Sequence, residues 1–256
     1  MNFVKLIHQN RIIQRSTLPL FKAQCYVLNS LADKRFMNEL ITTVPARLCS
    51  NFNANISQSE ENAGFIKRLL KKISGAEESR PRLKVSGYIL YENVADKLNY
   101  IEFFETFNLP NTFNSWFIVT ELHIWMLLLR AMAEGSETGQ DGRFLRNTIV
   151  EAMWADVNAR AKKLGAHNPS GTRAQIEMLS EQFQAALIAY DEGIQSSDIV
   201  LASALWRRFF EQKCDDYTRL EKLVNYVRKQ VSMLENLNKL NFMFKPKIEW
   251  IPLKDI

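Results

Sequence analysis

The sequence predicts an all-α protein: a single helical domain of about five to six helices, preceded by a disordered N-terminal transit peptide and followed by a short extended C-terminal tail. Gly and Pro are few, 9 and 7 in 256 residues, so breaks in regular structure are rare. Apolar residues recur at three- and four-residue spacing along the body of the chain. No convincing strand-like alternation precedes the tail.

The positive charge of the chain is concentrated at its N-terminal end. The net charge is +5, and residues 1–75 contribute +7 of it, which leaves −2 for the rest. A near-neutral body gives little support to a basic face for nucleic acid, so no direct nucleic-acid contact is expected. Cys25, Cys49 and Cys214 are far apart and form no CxxC, which is typical of a reducing compartment.

Residues 1–49 are predicted to be a mitochondrial transit peptide. The first 32 residues contain no acid, and apolar residues are scattered among the basic ones. Arg47 lies just before Ser50, which predicts cleavage near that serine. A disordered basic tail is the alternative interpretation of the same composition.

Residues 50–84 are predicted to be a linker that contains a short basic helix, FIKRLLKKI, at Phe65–Ile73. One side of this helix is apolar and the other carries four basic residues, Lys67, Arg68, Lys71 and Lys72. Such a helix can lie on an anionic membrane surface. It can equally cover the edge of the domain with its charges in solvent, and both interpretations stay open.

The helical domain is assigned to residues 85–240. Its first predicted helix spans about Gly87–Phe107 and ends before Pro110. The second spans about Phe113–Ala133 and is followed by the glycine-containing loop EGSETGQDG. The third spans about Arg143–Leu164.

Capping patterns predict where the next three helices begin. The fourth is expected to start after Thr172, in a T-x-x-Q box, and to end before Gly193. The fifth is expected to begin with Asp198 as its N-cap, and the sixth near Thr218 in a T-x-x-E box. The sixth helix has a coiled-coil-like apolar seam, Leu220, Val224, Val227, Val231 and Leu234. Residues 241–256 are predicted to be extended because Pro246 and Pro252 oppose helix.

The stretch NSWFIVTELHIWMLLLRAM, residues 114–132, is apolar enough to suggest a membrane span. Glu121 and His123 lie near its middle and Arg130 follows, and charged groups are costly at the centre of a bilayer. We therefore predict a helix buried at the centre of a helical domain. A buried Glu121 needs a partner, and Arg207 or Arg208 is the candidate. His123 is interpreted as a core histidine bonded to a neighbouring helix.

The sequence contains no motif of a known catalytic or metal site. It has no HExxH, ExxH or paired-cysteine spacing, no phosphate-binding glycine loop and no GxSxG elbow. Asp191 and Glu192 are neighbours on a helix and point about 100° apart, so they do not make an acid/base pair. We expect no enzyme activity, no metal and no cofactor. Candidates for partner or client binding, or for bracing the core, are Trp116, Glu121, His123, Trp125, Arg130, Tyr190, Asp191, Glu192, Trp206 and Arg207.

Four motifs, in their order and spacing, resemble the ubiquinol–cytochrome c chaperone family. They are LPNTFNSWFIVTELHIWMLLLRAM from Leu109, MWADVNAR from Met153, AYDEG from Ala189 and LASALWRRFF from Leu201. The following segment, EQKCDDYTRLEKLVNYVRKQ, is similar to the animal mitochondrial members. The resemblance covers about residues 85–235.

The resemblance implies a non-enzymatic assembly chaperone of respiratory complex III, ubiquinol–cytochrome c reductase. It implies peripheral association with the matrix side of the mitochondrial inner membrane. The implied partners are a small helical assembly factor and newly synthesised cytochrome b, whose translation, stabilisation and haem loading the complex would support. The mitochondrial ribosome is a further candidate partner. The family supplies no catalytic residue to transfer.

Two other classes of function stay open at this point. A structural or tethering subunit would use the basic helix and the last helix. A matrix enzyme would need Glu121, His123 and the Tyr190–Glu192 cluster to converge in one pocket. A client-binding chaperone predicts an exposed apolar patch larger than a few hundred Å², to which Met126, Met132 and Met153 could contribute.

Overall fold

The computed structural model describes residues 79–134 and 140–256, and within these ranges it contains α-helices and no strand. The predicted all-α fold class is confirmed. The transit peptide, the linker residues before Ser79 and the basic helix at 65–73 lie outside the described residues. The helices are α1 (Ser79–Ala95), α2 (Tyr100–Phe107), α3 (Phe113–Ala133), α4 (Gln140–Leu164), α5 (Pro169–Gln195), α6 (Asp198–Arg208), α7 (Tyr217–Glu235) and α8 (Lys239–Met243).

Helix α3 is the centre of the domain, and its bounds are those that the sequence predicts. It packs against α1, α2, α4, α5 and α7. Every residue from Phe117 to Met132 is buried. Among the described helices, α3 alone is long and apolar enough to cross a membrane by length and composition, and 89% of its most apolar window is buried inside the protein. Such burial on all sides is expected of the core helix of a helical domain.

The first predicted helix is two helices in the structure. The prediction of one helix over Gly87–Phe107 is wrong, because α1 begins at Ser79 and ends at Ala95. Asn99 then caps α2, its side chain accepting a hydrogen bond from the backbone N–H of Glu102. Leu98 in the connecting turn is buried, so the apolar spacing continues across the break and hides it.

Helix α5 begins earlier and ends later than predicted. Asn168 is the N-cap, accepting from the N–H of Gly171, and Pro169 occupies the first turn. Thr172 is therefore inside the helix, where its hydroxyl donates to the backbone oxygens of Gly165 and Asn168. Gly193 is also inside α5 rather than after it. A Cβ at Gly193 would lie 2.9 Å from the Cα of Leu201, so this glycine permits the close packing of α5 on α6.

The N-caps of α6 and α7 lie one or two residues before the predicted ones. Ser197 is the N-cap position of α6, and Asp198 is in its first turn. Asp216 caps α7, accepting from the N–H and the hydroxyl of Thr218. The predicted seam of α7 is buried from Val224 onward and packs on α3 and α6. This seam therefore belongs to the core of the domain.

The tail is partly helical. Residues 239–243 form the short helix α8, which corrects the prediction that the chain is extended from residue 241. Asn238 caps α8 by accepting from the N–H of Leu240. Beyond it the chain is extended, as predicted, until a single 3₁₀ turn at Leu253–Asp255.

Candidate functional site

Glu121 forms an ion pair in the core with Arg208. Its two carboxylate oxygens accept from Nε and Nη2 of Arg208 at 2.8 and 2.7 Å. The Glu121 side chain is fully buried, and the Arg208 side chain is 13% exposed. Burial raises the pKa of Glu121, and the Arg208 guanidinium opposes that rise. Of the two predicted partners, Arg208 is correct. Arg207 points outward, where it donates to the hydroxyl of Ser203.

Trp125 and Tyr190 make a second buried contact beside this ion pair. Their rings lie 5.2 Å apart, and the indole N–H of Trp125 donates to Asp191 Oδ1 at 2.7 Å. Burial, together with the nearby Glu121 carboxylate, raises the pKa of the Tyr190 hydroxyl well above its usual range. Asp191 is buried and Glu192 is exposed, so the two neighbouring acids face different environments, as the helical geometry predicts.

His123 is a core histidine bonded to a neighbouring helix, as predicted. Its Nδ1–H donates to the backbone oxygen of Val119, and its Nε2 accepts from the hydroxyl of Tyr226 on α7, both at 2.7 Å. The imidazole is therefore neutral, with its proton on Nδ1. Burial lowers its pKa to about 4. The ring edges of Phe103 and Trp250 complete its surroundings.

Arg130 binds the C-terminal end of α7. Its Nε and Nη2 donate to the backbone oxygens of Leu234 and Leu237, both at 2.8 Å. Nη2 also pairs with Glu134, and the guanidinium lies over the ring of Phe242. Carbonyls at a helix C-terminus lack partners within the helix, so a cation there stabilises the end of α7.

An aromatic corner, which we define as Tyr100, Phe104, Leu109, Phe113 and Trp116, lies on the surface where α2 meets α3. These residues are half-buried, and the Phe113 and Trp116 rings are 5.3 Å apart. Next to them, Ile101 is 65% exposed. The Arg160 guanidinium lies 4.5 Å from the centre of the Trp116 ring, where it is positioned by Asp156. The corner is therefore an apolar surface with a cation at one edge.

Trp206 and Arg207 lie on the accessible side of α6. Trp206 is half-buried and donates its indole N–H to the backbone oxygen of Cys214. Cys214 is half-buried, and its Sγ–H donates to the backbone oxygen of Asp216.

The candidate residues thus divide into two groups. Glu121, His123, Trp125, Arg130, Tyr190 and Asp191 are buried and bonded or packed inside the domain, whereas Trp116, Glu192, Trp206 and Arg207 reach the surface. The three methionines, Met126, Met132 and Met153, are buried. Whether any surface residue contacts a client or a partner stays a prediction.

The acids and the histidine of the enzyme hypothesis bind different partners. His123 contacts Tyr226 and Trp250, whereas Asp191 contacts Trp125. Within residues 79–134 and 140–256, no group of three or more His, Cys, Asp or Glu side chains could hold a metal ion.

Sequence reasoning did not identify Tyr226 and Trp250, which contact His123, or Gln230, which bonds to Ile251. The only available signal was the position of Tyr226 and Gln230 beside the apolar seam of α7. Trp250 lies in the tail, where no periodicity indicates which side chains are buried.

Comparison with known proteins supplies the family context. Residues 105–249 match the sequence model of a family described as ubiquinol-cytochrome C chaperone. The chain is 64% identical over 217 residues to a Drosophila melanogaster protein named ubiquinol-cytochrome c reductase complex assembly factor 1, covering 82% of this chain and 84% of the fly protein. The Homo sapiens protein of that name is 36% identical over 197 residues, covering 76% of this chain and 64% of the human protein.

A more distant similarity extends to fungi. The Saccharomyces cerevisiae protein named Protein CBP3, mitochondrial, is 30% identical over 152 residues, covering 59% of this chain and 44% of the yeast protein. This chain therefore spans less than two thirds of the human and yeast proteins. No solved structure is similar enough to this chain to count as a match.

Proposed function

The chain belongs to the ubiquinol-cytochrome C chaperone family, and on that basis we propose that it is a mitochondrial assembly chaperone of respiratory complex III. In this proposal it binds newly synthesised cytochrome b together with a small helical partner protein. The pair supports the translation of cytochrome b, its stabilisation and its haem loading at the matrix side of the inner membrane. The mitochondrial ribosome is a further proposed contact.

The observation that carries this proposal is the extent of the family match. Residues 105–249 include the C-terminal end of α2, all of α3 to α8 and the first part of the extended tail, so the similarity covers most of the helical core. The names of the fly and human relatives state which complex those proteins help to assemble, and the proposal takes the complex from them.

The use of the buried polar groups supports a binding function rather than catalysis. Glu121, His123 and Asp191 each bond to another part of the domain, and these bonds hold α3 to α5, α6 and α7. A binding protein requires this rigidity because its surface must be presented on a fixed scaffold.

The aromatic corner is the surface that we propose for client or partner contact. Aromatic side chains are enriched at binding interfaces, where they supply large contact areas. The corner lies next to the exposed Ile101, and its members Leu109, Phe113 and Trp116 fall within the family match.

Recovery of cytochrome b from mitochondria tests the proposal. Mitochondrial translation products are pulse-labelled, and the tagged chain is isolated under native conditions. We expect newly made cytochrome b and a small helical protein to be recovered with it. If neither is recovered, the proposed function is wrong.

A matched pair of substitutions tests the surface. Ile101→Asp places a charge beside the aromatic corner, and Ile199→Asp places one on α6, at residues that are 65% and 66% exposed. We expect Ile101→Asp to reduce recovery of cytochrome b or of the small partner, and Ile199→Asp to leave both unchanged. Equal recovery with both variants would exclude the corner as the contact surface.

A structural or tethering subunit is the alternative function. The apolar seam of α7 is buried from Val224 onward, so this face of the helix is not available for tethering while the domain stays folded. Stable comigration of the chain with mature complex III, rather than with early intermediates, would favour this alternative.

A further inference from the structure

We call the last twelve residues, 245–256, the C-terminal strap; it is extended up to the 3₁₀ turn at Leu253–Asp255. It contacts three helices that are far from it in sequence. Trp250 donates its indole N–H to the backbone oxygen of Asn93 on α1, and its ring lies 4.8 Å from that of His123 on α3. Ile251 bonds to Gln230 on α7. The strap therefore fills a groove between α1, α3 and α7.

The strap is held by apolar side chains that enter this groove. Ile248 and Leu253 are each 1% exposed. Lys247 and Glu249, on either side of Ile248 in sequence, face solvent. They pair with each other rather than with the helices. The strap thus presents apolar residues inward and charged residues outward, as an extended peptide does when it lies in a groove.

Gln230 recognises the main chain of the strap rather than a side chain. Its Nε2 donates to the backbone oxygen of Ile251 at 2.7 Å, and its Oε1 accepts from the N–H of the same residue at 3.2 Å. Gln230 is itself fully buried. Every residue except proline carries this donor and this acceptor, so the contact does not depend on which residue stands at position 251.

The groove has the two properties of a site for extended peptides. Main-chain hydrogen bonds supply affinity that is independent of sequence, and pockets for alternate side chains select apolar residues. The His123 ring, nearly perpendicular to the indole, and the backbone oxygen of Asn93 form the pocket for Trp250. Such recognition suits a client that exposes varied apolar segments before it is assembled.

We propose that this groove binds an extended apolar segment of the client, and that the C-terminal strap is its internal occupant, which the client displaces. The inference rests on the proposed function and assigns that function a peptide-binding site. Exchange would replace each contact by one of the same kind, because the incoming segment offers the same main-chain groups and similar side chains. The covalent link gives the strap an effective concentration of about millimolar, so the strap competes with any added peptide.

The first experiment weakens the strap and adds its sequence back as a separate peptide. The double variant Ile248→Ala/Trp250→Ala is mixed with a fluorescent peptide of residues 245–256. We expect it to bind the peptide about tenfold or more tightly than the unchanged chain, because the competing strap is weakened. The control variant Lys247→Ala/Glu249→Ala changes only the solvent side and should behave as the unchanged chain.

Specificity is tested with a second peptide and a groove variant. A peptide with serine in place of Ile248, Trp250 and Leu253 should not bind. In the strap-weakened chain, the further change Gln230→Met keeps the volume of the side chain and removes both main-chain bonds. We expect it to reduce peptide affinity about tenfold, since two buried hydrogen bonds are lost. Absence of peptide binding to the folded double variant would overturn the proposal.

Hydrogen exchange of the unchanged chain supplies a test that needs no altered strap. The N–H of Ile251 is bonded to Gln230 and should exchange slowly. Excess peptide should accelerate this exchange by displacing the strap. If exchange at Ile251 stays the same at the highest peptide concentration, the strap is a fixed part of the fold and the proposal is wrong, even if the double variant fails to fold.

Recovery of cytochrome b separates this inference from the proposed function. If the strap-weakened chain binds the peptide but neither it nor the unchanged chain recovers cytochrome b, the proposed function fails and the groove is a peptide site for another client. If Gln230→Met in the strap-weakened chain recovers cytochrome b as well as the strap-weakened chain does, the groove is not the client site. The proposed function would then stand without this inference.

Discussion

At the scale of single residues, the centre of α3 shows how charge is tolerated in an apolar core. The Glu121 carboxylate is fully buried, and both of its oxygens bond to Arg208. A buried ion pair is weak evidence for stability by itself, but removal of one member leaves an uncompensated charge. The two hydrogen bonds from Arg208 therefore compensate the charge of this carboxylate in the core.

Replacement of Arg208 should show how strongly the stability of the fold depends on this ion pair. Arg208→Ala leaves Glu121 buried and unpaired, and we expect it to lower the free energy of unfolding by about 3–5 kcal/mol at neutral pH. The loss should shrink at acidic pH, because burial has raised the pKa of the carboxyl and protonation removes the unpaired charge. Chemical denaturation followed by circular dichroism measures both effects.

The neighbouring arginine is the matched control for this prediction. Arg207→Ala removes an exposed side chain, and we expect a change within about 0.5 kcal/mol. The double variant Glu121→Met/Arg208→Met should recover much of the lost stability, since it removes both charges. Equal losses for Arg207→Ala and Arg208→Ala would contradict the assigned ion pair.

The buried His123 should give the free energy of unfolding a second dependence on pH. Burial lowers its pKa from the usual 6.5 to about 4, so between these values the unfolded chain binds a proton that the folded chain does not. The stabilising contribution is complete above pH 6.5 and is lost as the pH falls toward 4. The shift corresponds to about 3 kcal/mol.

The variant His123→Gln removes this titration while keeping a polar side chain in place. We expect the difference in unfolding free energy between the unchanged chain and His123→Gln to shrink as the pH falls from 6.5 to 4. Contributions of other titrating groups cancel in that difference. A difference that is constant with pH would show that the imidazole titrates normally in the folded protein.

At the scale of elements, helix ends and helix contacts decide how the bundle is assembled. Asn99, Thr112, Asn168 and Asp216 cap α2, α3, α5 and α7 with their side chains. Arg228 of α7 bonds to Asp198 and to the backbone oxygens of Ile194 and Ser196, which joins the end of α5 to the start of α6. Polar side chains at the helix ends thus help to set how the apolar faces of neighbouring helices pack.

The contact of α5 with α6 depends on a glycine. A Cβ at position 193 would lie 2.9 Å from the Cα of Leu201, a backbone atom that cannot rotate away. We expect Gly193→Ala to destabilise the fold, because overpacking costs about 1–3 kcal/mol and alanine regains at most about 1 kcal/mol in helix propensity. Thermal unfolding measures the effect.

Glu192→Ala is the control for this substitution, since Glu192 is adjacent in sequence but exposed. It should change the free energy of unfolding by no more than about 0.5 kcal/mol. A Gly193→Ala variant that is as stable as the unchanged chain would mean that α5 and α6 can separate slightly without cost.

At the scale of the whole molecule, charge is divided unevenly between a basic N-terminal segment and a near-neutral body. The four basic residues Lys67, Arg68, Lys71 and Lys72 belong to the first part. If this segment meets a membrane surface, each cation contributes about 1 kcal/mol to binding anionic lipid. Their replacement by glutamine should then reduce association of the full chain with anionic vesicles at least tenfold, and added salt should do the same.

Cations from the body of the protein provide the comparison. Lys162, Lys163, Arg173 and Lys213 are exposed, and their joint replacement by glutamine removes the same charge. Vesicle sedimentation should show little loss with this second variant. Equal losses of vesicle binding in the two variants would indicate an effect of total charge. No loss of binding in either variant would favour the interpretation that residues 65–73 cover an edge of the domain.

Sequence reasoning predicted the fold better than it predicted the contacts of the site. The bounds of α3 and the faces of α7 follow from periodicity, because a buried helix must be apolar where it is covered. The single helix predicted over residues 87–107 was wrong because Leu98 continued the apolar spacing through a turn. The sequence predicts Arg207 or Arg208 as the partner of Glu121. In the structure Arg208 faces Glu121, and Arg207 points outward.

The sequence by itself determined that this protein is a helical domain with a buried apolar helix at its centre, and its motifs determined the family. Only the tertiary structure decided which groups meet. His123 and Tyr226 are separated by 103 residues, and Trp250 and Asn93 by 157. Periodicity reports which face of a helix is covered, because burial is a local requirement on each residue. It does not report what covers that face, because the partner is set by how all the helices and the strap pack together.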